Sequence, residues 1–355
     1  MATTKELPTY LILKILELLQ EVDEQPSRCI LPLRLVSKRF KDMVTQRLPW
    51  HVYPRDTNSL TIQDFMSLES IFNNIRMMYL RNCSPSLIDG LITLLESPRY
   101  TGFKQTLQHI DVGYIPSAAT LHRFIDLVLL HCKRLIIVEL ESCGGSMHDE
   151  SVTPLSITFP SKDDHSRNTL TYINVSLNVI DEQLIPSLPK SIKVLNLSAC
   201  RFANEQQLIS PMLAKSPTVC HHLTSLILSH SYIGASGCVD IGHVLASDRS
   251  SLKNLWLDYC SIGGEGLLTI GRSLEHNRSL KFISVVFNGI RQNEGESFIE
   301  LLKASLSTHE GRHIGIHSEM NHWQLRDPLF SKDCDIKHYL SPDFAAHRLD
   351  NINKF

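Results

Sequence analysis

Leu252-Lys253-Asn254-Leu255-Trp256-Leu257-Asp258-Tyr259-Cys260, running on through Ser261-Ile262-Gly263-Gly264-Glu265-Gly266-Leu267-Leu268 to Leu274, is the stretch that decides the fold. Leu255 and Leu257 alternate along one face of a short strand, and Cys260, three residues later, turns back inward. After the turn the period changes. Gly266, Leu267, Leu268, Ile270, Gly271 and Leu274 fall at helical spacing, so a strand leads into a helix. One such unit cannot bury its apolar side alone and has to stack on copies of itself.

The copies are present. Leu223, Leu226, Leu228 and Ser231 repeat the frame upstream, and Leu280, Ile283, Val285 and Asn288 repeat it downstream, at a spacing of about 28 to 29 residues. Toward the N-terminus come Ile192, Leu195, Leu197, Cys200; Leu170, Ile173, Val175, Asn178; Leu135, Val138, Leu140, Cys143; Leu107, Ile110, Val112, Ile115; and Ile75, Met78, Leu80, Cys83. About eight units in one register define a leucine-rich repeat of the longer class, whose second half is a true helix. The expected fold class is α/β, a ribonuclease-inhibitor-like leucine-rich-repeat solenoid shaped as a horseshoe, behind a short all-α head.

The composition agrees with one elongated globular chain. Of 355 residues 43% are apolar, and 35 basic against 37 acidic residues leave a net charge of −2. That balance gives no electrostatic case for nucleic acid or an anionic membrane surface. Of the nine cysteines, Cys83, Cys143, Cys200 and Cys260 share one repeat position, where a small inward-pointing hydrophobe closes the strand turn; they read as core thiols in a reducing compartment. The N-terminal region shows no basic stretch leading into an apolar run with a cleavage site. No apolar run reaches the roughly 18 residues a membrane helix needs. The expected location is the cytoplasm, the nucleus or both.

Residues 1–48 do not repeat. Leu7-Pro8-Thr9 opens a helix carrying Leu11, Ile12, Ile15, Leu16, Leu18 and Leu19, which cover more than a single stripe. A second helical run brings Leu31, Leu35, Val36, Phe40 and Val44 to one face with basic residues between them. So short a head can barely bury both faces by itself, and a partner is expected to cover part of them. Leu7-Pro8, Ile15, Leu16, Leu19 and the run Leu35-Val36-Ser37-Lys38-Arg39-Phe40 resemble the F-box, a three-helix motif that docks on a Skp-type adaptor of cullin-RING ubiquitin ligases. An F-box followed by leucine-rich repeats resembles the F-box/leucine-rich-repeat group of substrate receptors. That resemblance implies adaptor contacts at Leu7, Pro8, Ile15, Leu16, Leu19, Leu35, Val36 and Phe40. It also implies a cullin reached through the adaptor, and a protein substrate on the repeats.

Residues 49–74 form the connector, in which Pro49-Trp50-His51-Val52-Tyr53 reads as an irregular first strand capping the repeats of 75–316. The segment 141–168, rich in Gly, Ser, Pro and Asp, is expected to be an exposed loop in place of a helix, and Pro186 and Pro189 shorten the helix of the next unit. Residues 317–355, with Trp323 near their start, are expected to cap the last repeat.

The register also gives the outward positions of each strand. The central column is Tyr79, Asp111, Glu139, Asn174, Asn196, Ile227, Trp256 and Ser284; the flanking column is Arg81, Gly113, Glu141, Ser176, Ser198, Ser229, Asp258 and Val286. From these, Tyr79, Arg81, Asp111, Glu139, Glu141, Asn174, Asn196, Ile227, Trp256 and Asp258 are the candidate substrate-binding residues on the concave face. They comprise an acidic zone at Asp111, Glu139 and Glu141 and an exposed tryptophan anchor at Trp256. The plainer expectation is a solvated acidic face and a tryptophan packed on its neighbours. No catalytic residue, metal or cofactor is assigned. Nothing opposes the carboxylates as nucleophile or second acid. His309, His313 and His317 are interrupted by Gly311 and Gly315 and lack a cysteine pair. Gly263-Gly264-Glu265-Gly266 lacks the Lys-Ser/Thr of a phosphate loop. The sequence therefore points to a non-enzymatic ligase substrate receptor, with a repeat scaffold that binds no adaptor as the alternative. A GTPase-activating solenoid is a weaker one, because Arg81 is the only arginine in the two columns.

Overall fold

In the computed structural model of the protein, the described residues are 50–52, 74–98, 102–114, 118–143, 154–157, 159, 169–202, 209–307 and 313–323. The adaptor-facing positions expected in the head, most of the connector and the tail beyond Trp323 lie outside them. The chain divides into two compact units, Met1–Gly145 with Pro160–Leu170, and Ser146–Phe159 with Thr171–Phe355.

The first unit carries strands β1 (Trp50–Val52), β2 (Ile75–Arg81), β3 (His109–Gly113) and β4 (Ile137–Glu141) and helices α1 (Pro85–Glu96), α2 (Gly102–Thr106) and α3 (Ala118–His131). All four strands pair in parallel and in sequence order, which requires each to return through a crossover; between β2, β3 and β4 helices supply it. Ser84 caps α1 by accepting a hydrogen bond from the Leu87 amide, and Pro85 occupies the first turn, where its missing amide proton is no loss. Leu87, Ile88, Leu91, Ile92, Leu94 and Leu95 then face inward. Their burial, at about 1.5–3 kcal/mol for each large aliphatic side chain, is what holds the helix on the sheet.

The second unit repeats the plan with β5 (Tyr172–Asn174), β7 (Val194–Asn196), β9 (Ser225–Ile227), β10 (Asn254–Trp256), β11 (Phe282–Ser284) and β12 (Gly315–His317) in parallel order. Ile173, Leu195, Leu226, Leu255, Ile283 and Ile316 stand opposite one another in register and are buried. A two-stranded pair, β6 (Val179–Ile180) with β8 (Arg201–Phe202), lies beyond the turns. The helices are α4 (Leu184–Ser187), α5 (Ile209–Lys215), α6 (Pro217–His221), α7 (Gly234–Ala246), α8 (Gly263–Ser273) and α9 (Gln292–Ser307). Between α7 and α8, a side chain on Gly266 would put its Cβ 2.9 Å from Cys238 Sγ, so glycine sets how closely these helices approach. Trp323 is buried against α9, its ring edge-on to Phe298 at 6.3 Å between centroids.

Two expectations are corrected. The segment 141–168 is not a purely exposed loop: Leu155, Ile157 and Phe159 are buried, and Leu155 exchanges backbone hydrogen bonds with Val179 and Asp181. Its alternating apolar residues substitute for a helix by adding a strand-like rung beside β6. Nor are the recurring thiols only small hydrophobes. Cys143 Sγ donates to Val112 O at 3.2 Å and Cys260 Sγ to Leu228 O at 3.1 Å, each reaching the preceding repeat. Ser231 and Asn288 do the same from the equivalent position. The column is one of donors that satisfy carbonyls left by the turn. Burial pushes the Cys200, Cys238 and Cys260 thiols up to about 12, so these sulfurs stay protonated and unreactive.

Candidate functional site

Strands β2, β3 and β4 are long enough to align five rows, and the alternation that buries Met78, Leu80, Ile110, Val112, Val138 and Leu140 sends the intervening side chains to the other face. One outward row is Tyr79, Asp111, Glu139 and the next is Arg81, Gly113, Glu141. Arg81 organises both. Its Nε donates to Asp111 Oδ1 at 2.9 Å and Oδ2 at 3.0 Å, and its Nη2 to Glu141 Oε2 at 2.7 Å. The second of these spans two strand intervals, roughly 9.6 Å, directly above Gly113. Gly113 makes room for it, because a Cβ there would lie 3.0 Å from Glu141 O and 3.5 Å from Arg81 Cγ. Below, His109 Nε2 and Glu139 Oε1 are 3.0 Å apart, and Tyr79 sets its ring edge against His109 at 5.1 Å.

The cluster is far drier than a solvated face. Asp111, Glu139 and Glu141 are 1%, 4% and 7% exposed, and Tyr79 and Arg81 are half-buried. Three carboxylates share one guanidinium. Burial opposes the Arg81 charge, but Asp111 and Glu141 outweigh it and leave the guanidinium pKa above its ordinary value. For Asp111, burial and then the charge of Glu139 push the carboxyl up to about 7, against the pull of Arg81 and His109. The Arg81 fork favours an ionised Asp111 while burial and the charge of Glu139 favour a proton, and the balance keeps Asp111 protonated toward the neutral range.

The sign of the consequence follows from linkage. Between the unfolded carboxyl value of 3.8 and about 7, the folded state binds more protons than the unfolded one. Stability contributed by protonated Asp111 is therefore complete below 3.8 and is lost as pH rises toward 7. Urea unfolding of the full chain should show a decline on the order of a few kcal/mol across this window, and Asp111→Asn should flatten it. A slope of the opposite sign, or one unchanged in Asp111→Asn, would refute the assignment.

The other expected site residues sit in the second unit. Asn174 is buried and caps its own turn, its Oδ1 accepting from Ser176 N; half-buried Asn196 does the same for Ser198 N. Ile227 is 6% exposed. Trp256 is not an exposed anchor: it is 4% exposed and packs at a tilt on Phe282, 5.4 Å between centroids. An indole between two strands buries more area by lying on a neighbouring ring than by standing in water. Asp258 accepts from Ser284 Oγ and from the Val286 amide at 2.8 Å, holding the flanking column of β10 to β11. His317 approaches Ser284 Oγ through Nδ1 at 3.1 Å, His313 is exposed, and His309 lies outside the described residues.

The residues that sequence reasoning passed over are His109 and the spacer role of Gly113. His109 is two positions before Asp111 and so on the same outward face; carrying the alternation one step further back would have found it.

The repeats thus pair a parallel strand with a return segment and keep leucine-type side chains in one register, and Cys143, Cys200, Ser231, Cys260 and Asn288 close their turns as donors. A family model described as a leucine rich repeat matches residues 219–242. The chain carries leucine-rich repeats. Among solved structures, it is similar to a Bacteroides fragilis protein, at 12% identity and TM-score 0.43 over 79% of this chain and 75% of that one. It is also similar to the leucine-rich repeat-containing protein LegL7 of Legionella pneumophila, at 14% identity and TM-score 0.42 over 78% of this chain and 85% of that one. Comparison with curated proteins finds no match. No helix among the described residues is long and apolar enough to cross a membrane. A parallel sheet with a preorganised polar face is a protein-interaction fold, and the cluster around Arg81 is its most strongly charged part.

Proposed function

We propose that this leucine-rich-repeat protein is a non-catalytic substrate receptor of a Skp-cullin-F-box type ubiquitin ligase, acting in the cytoplasm or nucleus. The observation that carries the reading is the order of parts: an F-box-like head over residues 1–48, then repeats whose outward face carries the Arg81–Asp111–Glu141 cluster with Glu139 and Tyr79 beside it. In this reading Leu7, Pro8, Ile15, Leu16, Leu19, Leu35, Val36 and Phe40 contact the adaptor, and the cullin joins through it. Tyr79, Arg81, Asp111, Glu139 and Glu141 meet the target protein. The contribution to ubiquitin transfer is proximity, since a lysine on a tethered target reacts as if at high local concentration. A face with three carboxylates and one arginine favours a target segment with positive charge.

Co-expression with a Skp-type adaptor and a cullin tests it. The full chain should co-purify with both, a chain starting near residue 49 should not, and Leu16→Ala or Leu35→Ala should weaken adaptor binding by about 1–3 kcal/mol. Absence of adaptor from the full-length preparation would overturn the ligase reading and leave a repeat scaffold that binds its partner without ubiquitin transfer.

A further inference from the structure

The residue just before the turn-closing position has a left-handed backbone in repeat after repeat: Asn82, Tyr114, Ser142, Leu177, Ala199, His230, Tyr259, Phe287 and Met320 all have φ between 52° and 60°. This conformation is costly for any residue with a side chain beyond glycine, and least so for asparagine. Asn82, Ser142 and Ala199 show that the fold asks for nothing large here. Yet four consecutive repeats of the second unit supply His230, Tyr259, Phe287 and Met320.

These four form a ladder. His230 and Tyr259 stack at 4.4 Å and 10°, Tyr259 and Phe287 at 4.8 Å and 26°, and Tyr259 Oη approaches Met320 Sδ at 3.5 Å. The centroid spacing is that of parallel strands. Beneath it the backbone is locked: the amides of Ala199, His230, Tyr259 and Phe287 donate to Ser229, Asp258, Val286 and Glu319 carbonyls at 2.9, 2.8, 2.9 and 3.1 Å. The ladder is nonetheless open to solvent, with Phe287 52% and Met320 65% exposed. Its first rung, His230, is also exposed, and the equivalent residue of the preceding repeat is Ala199.

The charge beside the ladder chooses the partner. The column next to it reads Ser229, Asp258, Val286, Glu319, two carboxylates and no cation. Among the described residues no lysine or arginine forms an ion pair with Asp258, and Glu319 is 77% exposed with only His317 nearby, at 3.6 Å. Rings edged by carboxylates repel a phosphate backbone and attract a planar cation, which guanidinium supplies and which stacks on aromatic faces. We propose that His230, Tyr259, Phe287 and Met320 form a docking edge for an extended, arginine-bearing segment of a partner protein, with a guanidinium completing the stack over Ala199. The ladder is separate from the Arg81 cluster, and the proposal stands whether or not the head binds an adaptor.

The test is a random dodecapeptide display library panned on the full chain and, in parallel, on the Tyr259→Asn/Phe287→Asn variant. Asparagine suits the left-handed backbone, as Asn82 shows, so the variant should melt no lower than the parent. Expected is enrichment of arginine-containing peptides on the parent alone. A synthetic copy of the leading peptide should bind at least about tenfold more weakly to the variant by fluorescence anisotropy, and several-fold more weakly when its arginine becomes lysine. Peptides without arginine, equal selection by parent and variant, no selection at all, or indifference to the lysine exchange would each overturn the proposal. So would concentration-dependent self-association of the parent that the variant lacks, since the occupant would then be a second copy.

Discussion

Arg81→Ala is expected to destabilise the chain at pH 7 by about 3 kcal/mol, the range found when one partner of a buried ion pair is removed. The arginine is half-buried, but the groups it leaves behind are more so: Asp111, Glu139 and Glu141 stay at 1%, 4% and 7% exposure, and Asp111 and Glu141 lose the guanidinium bonds they accept at 2.9 and 2.7 Å. Most of the loss is the cost of buried carboxylates deprived of that guanidinium. That cost depends on ionisation, which sets a second expectation. At pH 5, below its raised value of about 7, Asp111 holds a proton and needs the guanidinium less, so the penalty should shrink to about 1 kcal/mol. Urea midpoints of parent and variant at the two pH values measure both. An equal loss at pH 5 and pH 7 would mean that Arg81 acts by packing its aliphatic stem rather than by its charge. Gly113→Val supplies an independent route to the same break, because it keeps the arginine but fills the space across which it reaches Glu141.

The repeats are legible in the sequence because their physics is local. Leu255 and Leu257 must point one way along a strand, and one residue of slip would turn both to the other face, so the register cannot drift between units. The same rule placed Tyr79, Arg81, Asp111, Glu139 and Glu141 on one surface before any coordinate was known. What it does not carry is depth. Whether Trp256 stands in water or lies on Phe282 depends on the first residue of the next strand, and the alternation that puts both outward says nothing about how the rings tilt. Gly113 is another case. A glycine in a strand signals a close approach but not of what, and only the length of Arg81 laid across two strands explains it. The loop containing Leu155 was misjudged because Gly, Ser and Pro around it outvoted three alternating apolar residues. The ladder from His230 to Met320 escaped because left-handed backbone at a bulky residue is not something composition predicts; it is imposed by the repeat turn on whatever residue occurs there.

Asn288→Ala should have the largest effect in the second unit, on the order of 3 to 5 kcal/mol. Its Nδ2 donates to Leu257 O at 2.7 Å and Val286 O at 3.1 Å, and its Oδ1 accepts from the amides of Cys260 at 3.0 Å and Ile262 at 3.2 Å. One side chain, 4% exposed, therefore satisfies the Leu257 carbonyl and the Cys260 and Ile262 amides, and adds a second donor to Val286 O, which already accepts from the Tyr259 amide at 2.9 Å. Alanine strands the Leu257 carbonyl and the two amides in a place water does not reach, and each orphaned group costs about 1–3 kcal/mol before relaxation. Asn321 makes the internal comparison. It occupies the same position one repeat later, with Nδ2 on Val285 O at 2.8 Å and Ser318 O at 3.0 Å, and Oδ1 accepting from the Asn288 and Ile290 amides at 2.8 and 3.2 Å. It is half-buried, however, so water can replace the lost bonds, and Asn321→Ala should cost only about 1 kcal/mol. Cys260→Ala, which removes a single weak thiol donor, should fall in the same low range. Thermal and urea unfolding of the three variants separate two explanations of the column. If Asn288 and Asn321 cost the same, the number of hydrogen bonds decides; a gap of about 2 kcal/mol means that exclusion of water decides, and that the middle of the unit is where its turns are held.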